Sequence, residues 1–294
     1  MIILLVGSGG REHAIARAIK NSHLKSRLFI TPGNPGMQKL GECKNIPVDD
    51  VEEICNLANS IKANLVVIGP EVPLVKGLKN KLSQIGIKAF GPTAEAAMLE
   101  GSKAFSRNFC KKYNIPQPRF NYFTNYKLAL KEVEKMNGHC VVKADGLAAG
   151  KGVVVCDNNK QAQQACKEML NDKKFGQSSS KILIEERISG MEASIFVVSD
   201  GQNFKLIGTA QDHKRAFDND HGPNTGGMGA VSPAPTLNDK MLKKIVKDIV
   251  KPTIKGMSLE NKIYEGILYI GVMVTKDGPK LIEYNCRFGD PEAQ

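Results

Sequence analysis

Hydrophobic residues in the first hundred positions alternate between short continuous runs and stretches with helical spacing. Ile2–Val6 is an apolar run of strand length, and His13–Asn21, after a glycine-rich turn, repeats apolar residues at helical spacing. The predicted elements are, in order, strand Ile2–Val6, helix His13–Asn21, strand Arg27–Ile30, helix Val51–Ser60, strand Asn64–Ile68, helix Val75–Gln84 and strand Ile87–Phe90. This alternation predicts an α/β domain with an open parallel sheet of the Rossmann-like kind over residues 1–101.

Beyond residue 101 the pattern changes to paired strands with fewer helices. The predicted elements are helix Ser102–Tyr113, strand Phe120–Phe123, helix Tyr126–Met136, strands Cys140–Lys143, Val153–Val155, Lys181–Glu186, Ala193–Val198 and Lys205–Ala210, helix Lys240–Lys251, and strand Tyr264–Thr275 paired with a last strand from Lys280. Pro252 is expected to end or kink the last helix, and residues 211–230 to form a long structureless loop. These elements predict two further α+β units, over residues 102–188 and 189–294.

The last strand carries the most suggestive polar pattern. A period of two places four side chains on one face: Leu281, Glu283, Asn285 and Arg287. A carboxylate and an amide oxygen suit Mg²⁺, and a planar guanidinium suits an oxyanion beside them. A half-exposed strand with salt bridges on its outer face would show the same pattern.

Glycine-containing loops follow each predicted strand of the first domain. The loop after the first strand reads Gly-x-Gly-x-x-Glu and lacks the third small residue of a dinucleotide fingerprint. The loop after the second strand, Thr31–Gly36, has no acid for ribose hydroxyls, which disfavours a nicotinamide-dependent dehydrogenase. Because the carboxyl ends of parallel strands share one edge, four such loops favour a ligand crevice.

A loop of small residues lies between two apolar strands after residue 144. Gly-Lys-Gly at 150–152 runs into valines rather than into a helix, so this is not a P-loop. A mobile hairpin over phosphates fits better, with Lys143 on the strand and Lys151 in the loop, although Lys143 could also point outward from an edge strand. Lys103 stands in the first turn of a helix, where a cation opposes the helix dipole and a nearby phosphate would explain it.

Composition excludes several classes of function. The net charge is +11, but the lysines are spread, tryptophan is absent and aromatic residues make up 6%, which disfavours a nucleic-acid-binding surface. Seven scattered cysteines without metal-ligand spacing indicate reduced thiols. Neither a secretory signal nor a membrane-spanning apolar run is evident, so we expect a cytoplasmic protein without membrane or nucleic-acid partners.

Eight stretches in order resemble the glycinamide ribonucleotide synthetase (phosphoribosylamine–glycine ligase) family of the ATP-grasp superfamily. They are Gly7–Ala14, Pro32–Asn34, Val67–Glu71, Glu100–Lys103, Lys143–Gly152, Gln211–Arg215, Gly222–Gly229 and Asn285–Glu292. The resemblance implies a Rossmann-like domain followed by an ATP-grasp fold. It also implies ligation of glycine to 5-phosphoribosylamine in purine biosynthesis, through a glycyl phosphate, with ATP and Mg²⁺ or Mn²⁺. Another ATP-grasp carboxylate–amine ligase or a carboxylase is the alternative, and a monomer or weak dimer is expected.

The resemblance also implies roles for individual residues. ATP would be bound by Lys103, Lys143, Gly146, Gly150, Lys151, Gly152, Glu185, Glu186, Ile188 and Glu192, and the metal by Glu283 and Asn285. Asp212 and Arg287 would be catalytic and hold glycine by its two ends. The amine substrate would meet Gly9, Gly10, Arg11, Glu12, Gly33, Asn34, Pro70, Glu71, Lys214, Pro223, Asn224, Thr225, Gly226, Gly227 and Met228.

Two features depart from the family pattern. Many ATP-grasp enzymes draw another acidic metal ligand from the strand before the last, but Tyr269–Thr275 contains no acid. The chain also stops at Gln294, immediately after a functional motif, so we expect that the C-terminal part of the family fold is missing.

Overall fold

The computed structural model of the protein describes residues 1–148, 150–213, 215–218, 221–225 and 227–294. Its first part consists of β1 Ile2–Gly7, α1 Gly10–Asn21, β2 Arg27–Pro32, a 3₁₀ turn Met37–Lys39, β3 Glu42–Cys43, α2 Val51–Ser60, β4 Leu65–Ile68, α3 Glu71–Val75, α4 Leu78–Gln84, β5 Ala89–Phe90 and α5 Ala94–Gly101. The strands pair in parallel in the order β3-β2-β1-β4-β5. The chain runs outward from β1 in both directions, so the crevice between the carboxyl ends of β1 and β4 is a topological switch point.

The four strands predicted for this part are confirmed, and β3 and α5 are additional. The helix predicted over Val75–Gln84 is present as α4 but begins later, at Leu78, and α3 precedes it as a further additional helix that ends at Val75. Gly77 lies between them with φ +84°, a left-handed conformation that breaks a helix and that glycine adopts without strain.

The second part is a smaller antiparallel unit. Its elements are α6 Lys103–Lys112, β6 Phe120–Phe123, α7 Tyr126–Lys135, β7 Cys140–Ala144, β8 Val153–Cys156, α8 Asn159–Cys166 with a π turn Lys167–Asn171, a 3₁₀ turn Gly176–Ser179 and β9 Ile182–Glu186. The sheet order is β6-β9-β7-β8. We call this sheet with α7 and α8 the lid unit. It has a core of its own, to which Ala129, Val142 and Cys166 belong.

The third part carries the largest sheet. Its elements are β10 Met191–Asp200, β11 Phe204–Asp212, β12 Arg215–Phe217, β13 His221–Asn224, β14 Ala230–Val231, α9 Asp239–Ile245, a π turn Val246–Val250, α10 Lys251–Leu259, β15 Glu265–Thr275 and β16 Gly278–Asn285. The main sheet is antiparallel, in the order β14-β11-β10-β15-β16, while β12 and β13 pair separately.

Two expectations for this part were wrong. Residues 211–230 are not structureless, because β12, β13 and β14 lie there. The helix does not end at Pro252, which lies in the first turn of α10 directly after the π turn, and the helical path continues to Leu259. Proline is tolerated in the first turn of a helix, where its missing N–H would have no partner within the helix. The alternative expectation, a kink at Pro252, stays a prediction.

One hydrophobic core joins the N-terminal sheet to the main sheet. It contains Leu4 of β1, Leu74 of α3, Phe109 of α6, Ile249 of the π turn and Leu268 of β15. Because these side chains pack on one another, the first and third parts and helix α6 form a single packed body.

A bulge in β16 changes which residues share a face. Gly271 pairs with Glu283 but Val272 pairs with Leu281, so β16 carries one extra residue. Leu281 is therefore buried in the same core as Tyr284, and the expectation that it shares the face of Glu283 was wrong. From Glu283 onward the predicted alternation holds.

Within the described residues, none of the helices has the length and apolar character needed to cross a membrane.

Candidate active site

The crevice between β1 and β4 is organised around Glu12. The side chain of Glu12 is buried and lies against Gly7 and Gly69, where a Cβ atom on either glycine would collide with it. Its Oε2 accepts a hydrogen bond of 2.9 Å from Gly9 N, and its Oε1 accepts one from Arg11 Nε. Glu12 thus shapes the crevice and caps α1 instead of facing solvent.

The loop after β1 is bound to the segment after β16. Arg11 Nη1 donates to the Phe288 carbonyl oxygen at 3.2 Å, and Arg11 N donates to Asp290 Oδ2 at 3.4 Å. The N-terminus of a helix favours an anion, and at the N-terminus of α1 that anion is the Asp290 carboxylate. Gly10 lies beside Gln294, whose Nε2 donates to Asp290 Oδ1 at 2.6 Å.

The other first-domain loops reach the same crevice. Asn34 Nδ2 donates to the Ser8 carbonyl oxygen at 2.9 Å, which joins the loops after β2 and β1. Gly33 has φ +72° and packs on Cys43. Pro70 precedes α3, and Glu71 at the start of that helix contacts Arg287. The structure therefore brings the predicted first-domain residues together with the end of β16.

A short connection before α6 binds the loop that follows β7. Ser102 Oγ donates to Asp145 Oδ1 at 2.9 Å, and the same oxygen accepts from Ala104 N at 2.7 Å. Lys103 Nζ donates to the Gly146 carbonyl oxygen at 3.1 Å. Desolvation lowers the pKa of Lys103, an effect that the carboxylate of Glu283 partly offsets. The predicted cation in this first turn therefore lies between the glycine loop and the end of β16.

Lys143 belongs to a buried ionic triad. Glu185 accepts from Arg107 Nε and Nη2 at 2.7 and 2.9 Å, and its Oε2 lies 2.8 Å from Lys143 Nζ. The exposed fractions of the three side chains are only 2 to 6%. Arg107 Nη1 and Nη2 also donate to the carbonyl oxygens of Leu281 and Ile282, at 3.1 and 2.6 Å. The triad therefore joins α6, the lid unit and β16.

The glycines of the predicted phosphate loop have different surroundings. Gly146 packs on Ser178, and its N donates to the Ser178 carbonyl oxygen at 3.0 Å. Gly152 faces Ala148, and an added Cβ atom would lie 2.7 Å from the Ala148 Cβ. Gly150 has φ +74°, and Lys151 is exposed. The two outer glycines are thus fixed by packing, and the exposed lysine lies between Gly150 and Gly152.

Four of the predicted ATP-binding residues lie at the end of β9 and shortly after it: Glu185, Glu186, Ile188 and Glu192. The Glu185 side chain is occupied by the triad, and its backbone lies in the sheet between β6 and β7. Glu186 pairs with Arg119 Nε at 2.7 Å and with Lys280 Nζ at 3.1 Å. Ile188 is half-buried, and Glu192 is exposed near the start of β10. Glu192 also lines a small cavity, whose other lining residues include Ser194, Asp212, Tyr269, Gly271 and Glu283.

The predicted metal pair lies at the end of β16. Glu283 lines that cavity opposite Gly271, and Asn285 Oδ1 accepts from Arg287 Nη2 at 3.2 Å. A Cβ atom at Gly271 would lie 3.2 Å from Glu283 Cγ and 3.3 Å from Tyr269 Cε1, so a side chain here would be in tight contact with both residues. The described residues contain no cluster of three or more histidine, cysteine or acidic side chains suited to a metal. One carboxylate and one amide oxygen still fit a cation that leaves its other positions to phosphates and water.

Arg287 lies between two carboxylates from the N-terminal part. Its Nε donates to Glu71 Oε2 at 3.0 Å, its Nη2 lies 3.3 Å from Glu100 Oε1, and its Nη1 donates to the Phe288 carbonyl oxygen at 3.0 Å. Burial alone would lower the pKa of Arg287, but the charges of Glu100 and Glu71 outweigh it and raise that pKa. The guanidinium therefore stays charged in a buried site.

The loop after Asp212 lies against the same region. Lys214 and Gly226 lie outside the described residues, and Pro223 and Asn224 belong to β13. Thr225 Oγ1 accepts from Gly227 N at 3.1 Å, and Gly227 has φ +131°. A Cβ atom there would lie 3.1 Å from Asp212 Oδ1 and against Pro291. The side chain of Met228 is exposed.

Sequence reasoning missed four charged residues that hold this site together: Glu100, Arg107, Asp145 and Asp290. Asp145 is the first residue of the glycine loop, but its partners Ser102 and Ala104 lie 43 and 41 residues earlier in the chain. Arg107 and Glu185 are 78 residues apart, and no local pattern links them.

Comparison with known proteins gives the same picture over the whole chain. Residues 1–100 match the N domain of phosphoribosylglycinamide synthetase, and residues 101–293 match its ATP-grasp (A) domain. The chain is 47% identical, over all 294 residues, to a phosphoribosylamine–glycine ligase of Caulobacter vibrioides, and it spans 69% of that protein's length. A relative of the same name from Caldanaerobacter subterraneus is 42% identical, with 70% of its length covered.

Comparison with solved structures indicates the same family. The crystal structure of a phosphoribosylamine–glycine ligase from Thermotoga maritima is similar with a TM-score of 0.85 and 32% identity, and the match covers the whole chain and 70% of that protein. The biotin carboxylase domain of Hydrogenobacter thermophilus 2-oxoglutarate carboxylase, solved with MgADP, is similar with a TM-score of 0.78 but only 16% identity, which shows the fold alone. That match covers 99% of this chain and 65% of that one. The predicted parallel-sheet domain followed by an ATP-grasp fold is confirmed, and the chain belongs to the phosphoribosylglycinamide synthetase family.

Proposed function

We infer that this chain is an ATP-dependent ligase that joins glycine to 5-phosphoribosylamine and gives glycinamide ribonucleotide, ADP and phosphate in purine biosynthesis. The observation that carries this inference is the family match, which covers the N domain and the ATP-grasp domain without a gap. Relatives with 42 to 47% identity over the whole chain bear the name of this activity.

The chemistry requires activation of a carboxylate. A glycine carboxylate oxygen attacks the γ-phosphorus of ATP, the bond to the bridging oxygen breaks, and ADP leaves with that electron pair. The amine nitrogen of phosphoribosylamine then attacks the carbonyl carbon of the glycyl phosphate. Phosphate leaves, the nitrogen loses a proton, and an amide remains. Both steps depend mainly on positioning and on neutralising phosphate charge.

The nucleotide would lie between the lid unit and β16. Lys103 and Lys143 would reach this space from α6 and β7, and their charges would help to neutralise the phosphates. The loop at residues 145–152 would cover those phosphates with Lys151. Adenine would lie against the end of β9, at Glu185 and Glu186, and against Ile188. Glu192 would lie toward the ribose.

Glu283 and Asn285 would hold Mg²⁺ or Mn²⁺, which supplies charge neutralisation to the phosphates when bound. Both donors are hard oxygens at the end of one strand, and Glu283 shares its cavity with Asp212. This donor set supports the assignment.

The acceptor side would lie in the crevice of the N-terminal sheet. Arg287 would meet the glycine carboxylate and Asp212 its ammonium group. The loops after β1, β2 and β4, with the loop at residues 222–229, would take the ribose phosphate. We therefore divide the chain into a substrate domain at 1–101, a lid with its linker helix at 102–188 and a large ATP-grasp unit at 189–294.

An ADP-release assay tests this function. ADP should form only when ATP, a divalent cation, glycine and phosphoribosylamine are all present, and mass spectrometry should find glycinamide ribonucleotide. ADP release that requires bicarbonate in place of glycine would instead identify a carboxylase, the reaction class named for the 16% identical structural relative.

A further inference from the structure

Glu100 binds the end of β16 at two neighbouring residues. Its Oε2 accepts from Cys286 N at 2.7 Å and from Cys286 Sγ at 2.9 Å, while its Oε1 lies 3.3 Å from Arg287 Nη2. The exposed fraction of the Glu100 side chain is 8%. One carboxylate therefore contacts a backbone N–H, a thiol and a guanidinium at the point where the strand becomes a turn.

We propose that Glu100 is a positioning residue for the ligase reaction, which holds Arg287 and the backbone beside Asn285 in the geometry that binds glycine. This rests on the proposed function, since Arg287 is assigned there to the glycine carboxylate. Glu100 itself does not contact substrate. It acts through Arg287, whose guanidinium also contacts Asn285 Oδ1 at 3.2 Å.

Glu100 and Glu71 contact different nitrogen atoms of Arg287, which gives them different roles. Glu71 meets Arg287 only at Nε, at the base of the fork, whereas Glu100 meets the terminal nitrogen Nη2 and the preceding residue's N–H. The other contacts of the terminal nitrogens, with the Phe288 carbonyl oxygen and Asn285 Oδ1, are to neutral acceptors within two residues of Arg287 on its own segment. A second contact at Nη2, from an acid that is itself fixed to the backbone, sets the plane of the fork.

The same connection also touches the nucleotide loop. Lys103, three residues after Glu100, donates from its backbone N to the Asp145 carbonyl oxygen at 3.0 Å, and its Nζ meets Gly146. Glu100 is thus the end of a four-residue segment that contacts Arg287 at one end and the phosphate loop at the other. A displaced Glu100 should affect glycine more than ATP, because Lys103 keeps its own contacts.

The test compares Glu100→Gln with Glu95→Gln in the purified protein. Glu95 is exposed on the same helix α5 and accepts from Asn80 Nδ2 at 3.0 Å, so it is a matched control remote from Arg287. For Glu100→Gln we expect kcat/KM for glycine to fall at least about tenfold, because an amide NH₂ group would replace one of the two oxygens that contact Cys286 N and Arg287 Nη2. The KM for ATP should stay within about twofold of wild type, and Glu95→Gln should match wild type.

A double-mutant cycle distinguishes positioning from a general loss of structure. If Glu100 acts through Arg287, Glu100→Gln should cause no further loss in an Arg287→Ala background. Additive losses, an equal loss for ATP and glycine, or wild-type kinetics for Glu100→Gln would each overturn the proposal. A crystal structure of Glu100→Gln gives a readout independent of activity, since the Arg287 fork should turn away from Asn285. If the wild-type protein showed no glycine-dependent ADP release, the proposed function would be overturned. If Arg287 had not moved in the Glu100→Gln structure, only the role of Glu100 would be overturned.

Discussion

The buried triad of Arg107, Lys143 and Glu185 gives a quantitative prediction. Burial alone would raise the pKa of Glu185, but the charges of Arg107 and Lys143 and their hydrogen bonds outweigh it and lower that pKa from 4.5 to about 2. A change of this size corresponds to about 3 kcal/mol in favour of the charged carboxylate in the folded protein. Glu185→Gln removes that charge and leaves two buried cations facing each other. We expect the free energy of unfolding at pH 7 to fall by about 3 to 5 kcal/mol.

The pH dependence has a definite sign. Because the folded pKa of Glu185 lies below its unfolded value, the stabilisation is complete above about pH 4.5 and is lost as the pH falls toward 2. The difference between wild type and Glu185→Gln should therefore be largest near neutral pH and shrink in acid.

Urea denaturation followed by circular dichroism at pH 7 and pH 3 measures both effects. Glu186→Gln is the matched control, because Glu186 is the next residue and its partners Arg119 and Lys280 are 88% and 28% exposed. That variant should lose less than about 1 kcal/mol. A Glu185→Gln protein as stable as the control, or a gap that does not narrow in acid, would refute the role given to the triad.

Three further predictions concern the reaction itself. Glu283→Gln and Asn285→Ala should each reduce ADP release strongly at limiting Mg²⁺ while the circular dichroism spectrum stays unchanged, and wild-type turnover by either variant would contradict the metal assignment. Amide exchange over residues 145–152 should slow when a non-hydrolysable ATP analogue and Mg²⁺ are added, and unchanged exchange would argue against a closing loop. Since desolvation lowers the pKa of Lys103, its charge is lost early as the pH rises, so kcat/KM for ATP should fall on the alkaline side. Lys103→Arg should move that fall to higher pH, and an identical profile would remove Lys103 from the phosphates.

The strands were predictable because a period of two, or a continuous apolar run, is a local signal. The α/β order of the first hundred residues and the polar face of β16 from Glu283 onward follow from such signals. The register of Leu281 could not be predicted in this way. The bulge that buries it in the same core as Tyr284 depends on how β16 pairs with β15, and the sequence of one strand does not specify that pairing.

Long-range ion pairs account for most of what sequence reasoning missed in the site. Glu185 was predicted to bind ATP from its place in a family pattern, but its carboxylate is bound by Arg107 and Lys143. Glu100 was quoted only as part of a motif, because its partner Cys286 lies 186 residues further along the chain, directly before Arg287. Such contacts are set by how α5, α6 and β16 pack, and packing is a property of the whole fold.

The division of the hydrophobic core determines which parts of this enzyme are free to move. Separating the N-terminal sheet from the main sheet would expose the shared core, which is costly. The lid unit keeps its core when it rotates, and the triad at β7 and β9 holds its inner edge against β16. The lid unit should therefore rotate about that edge as a rigid body, while the acceptor crevice keeps its shape. Nucleotide binding and release would then depend on rotation at this one hinge. The crevice of the N-terminal sheet, which would bind the amine substrate, would be rigid before any ligand binds.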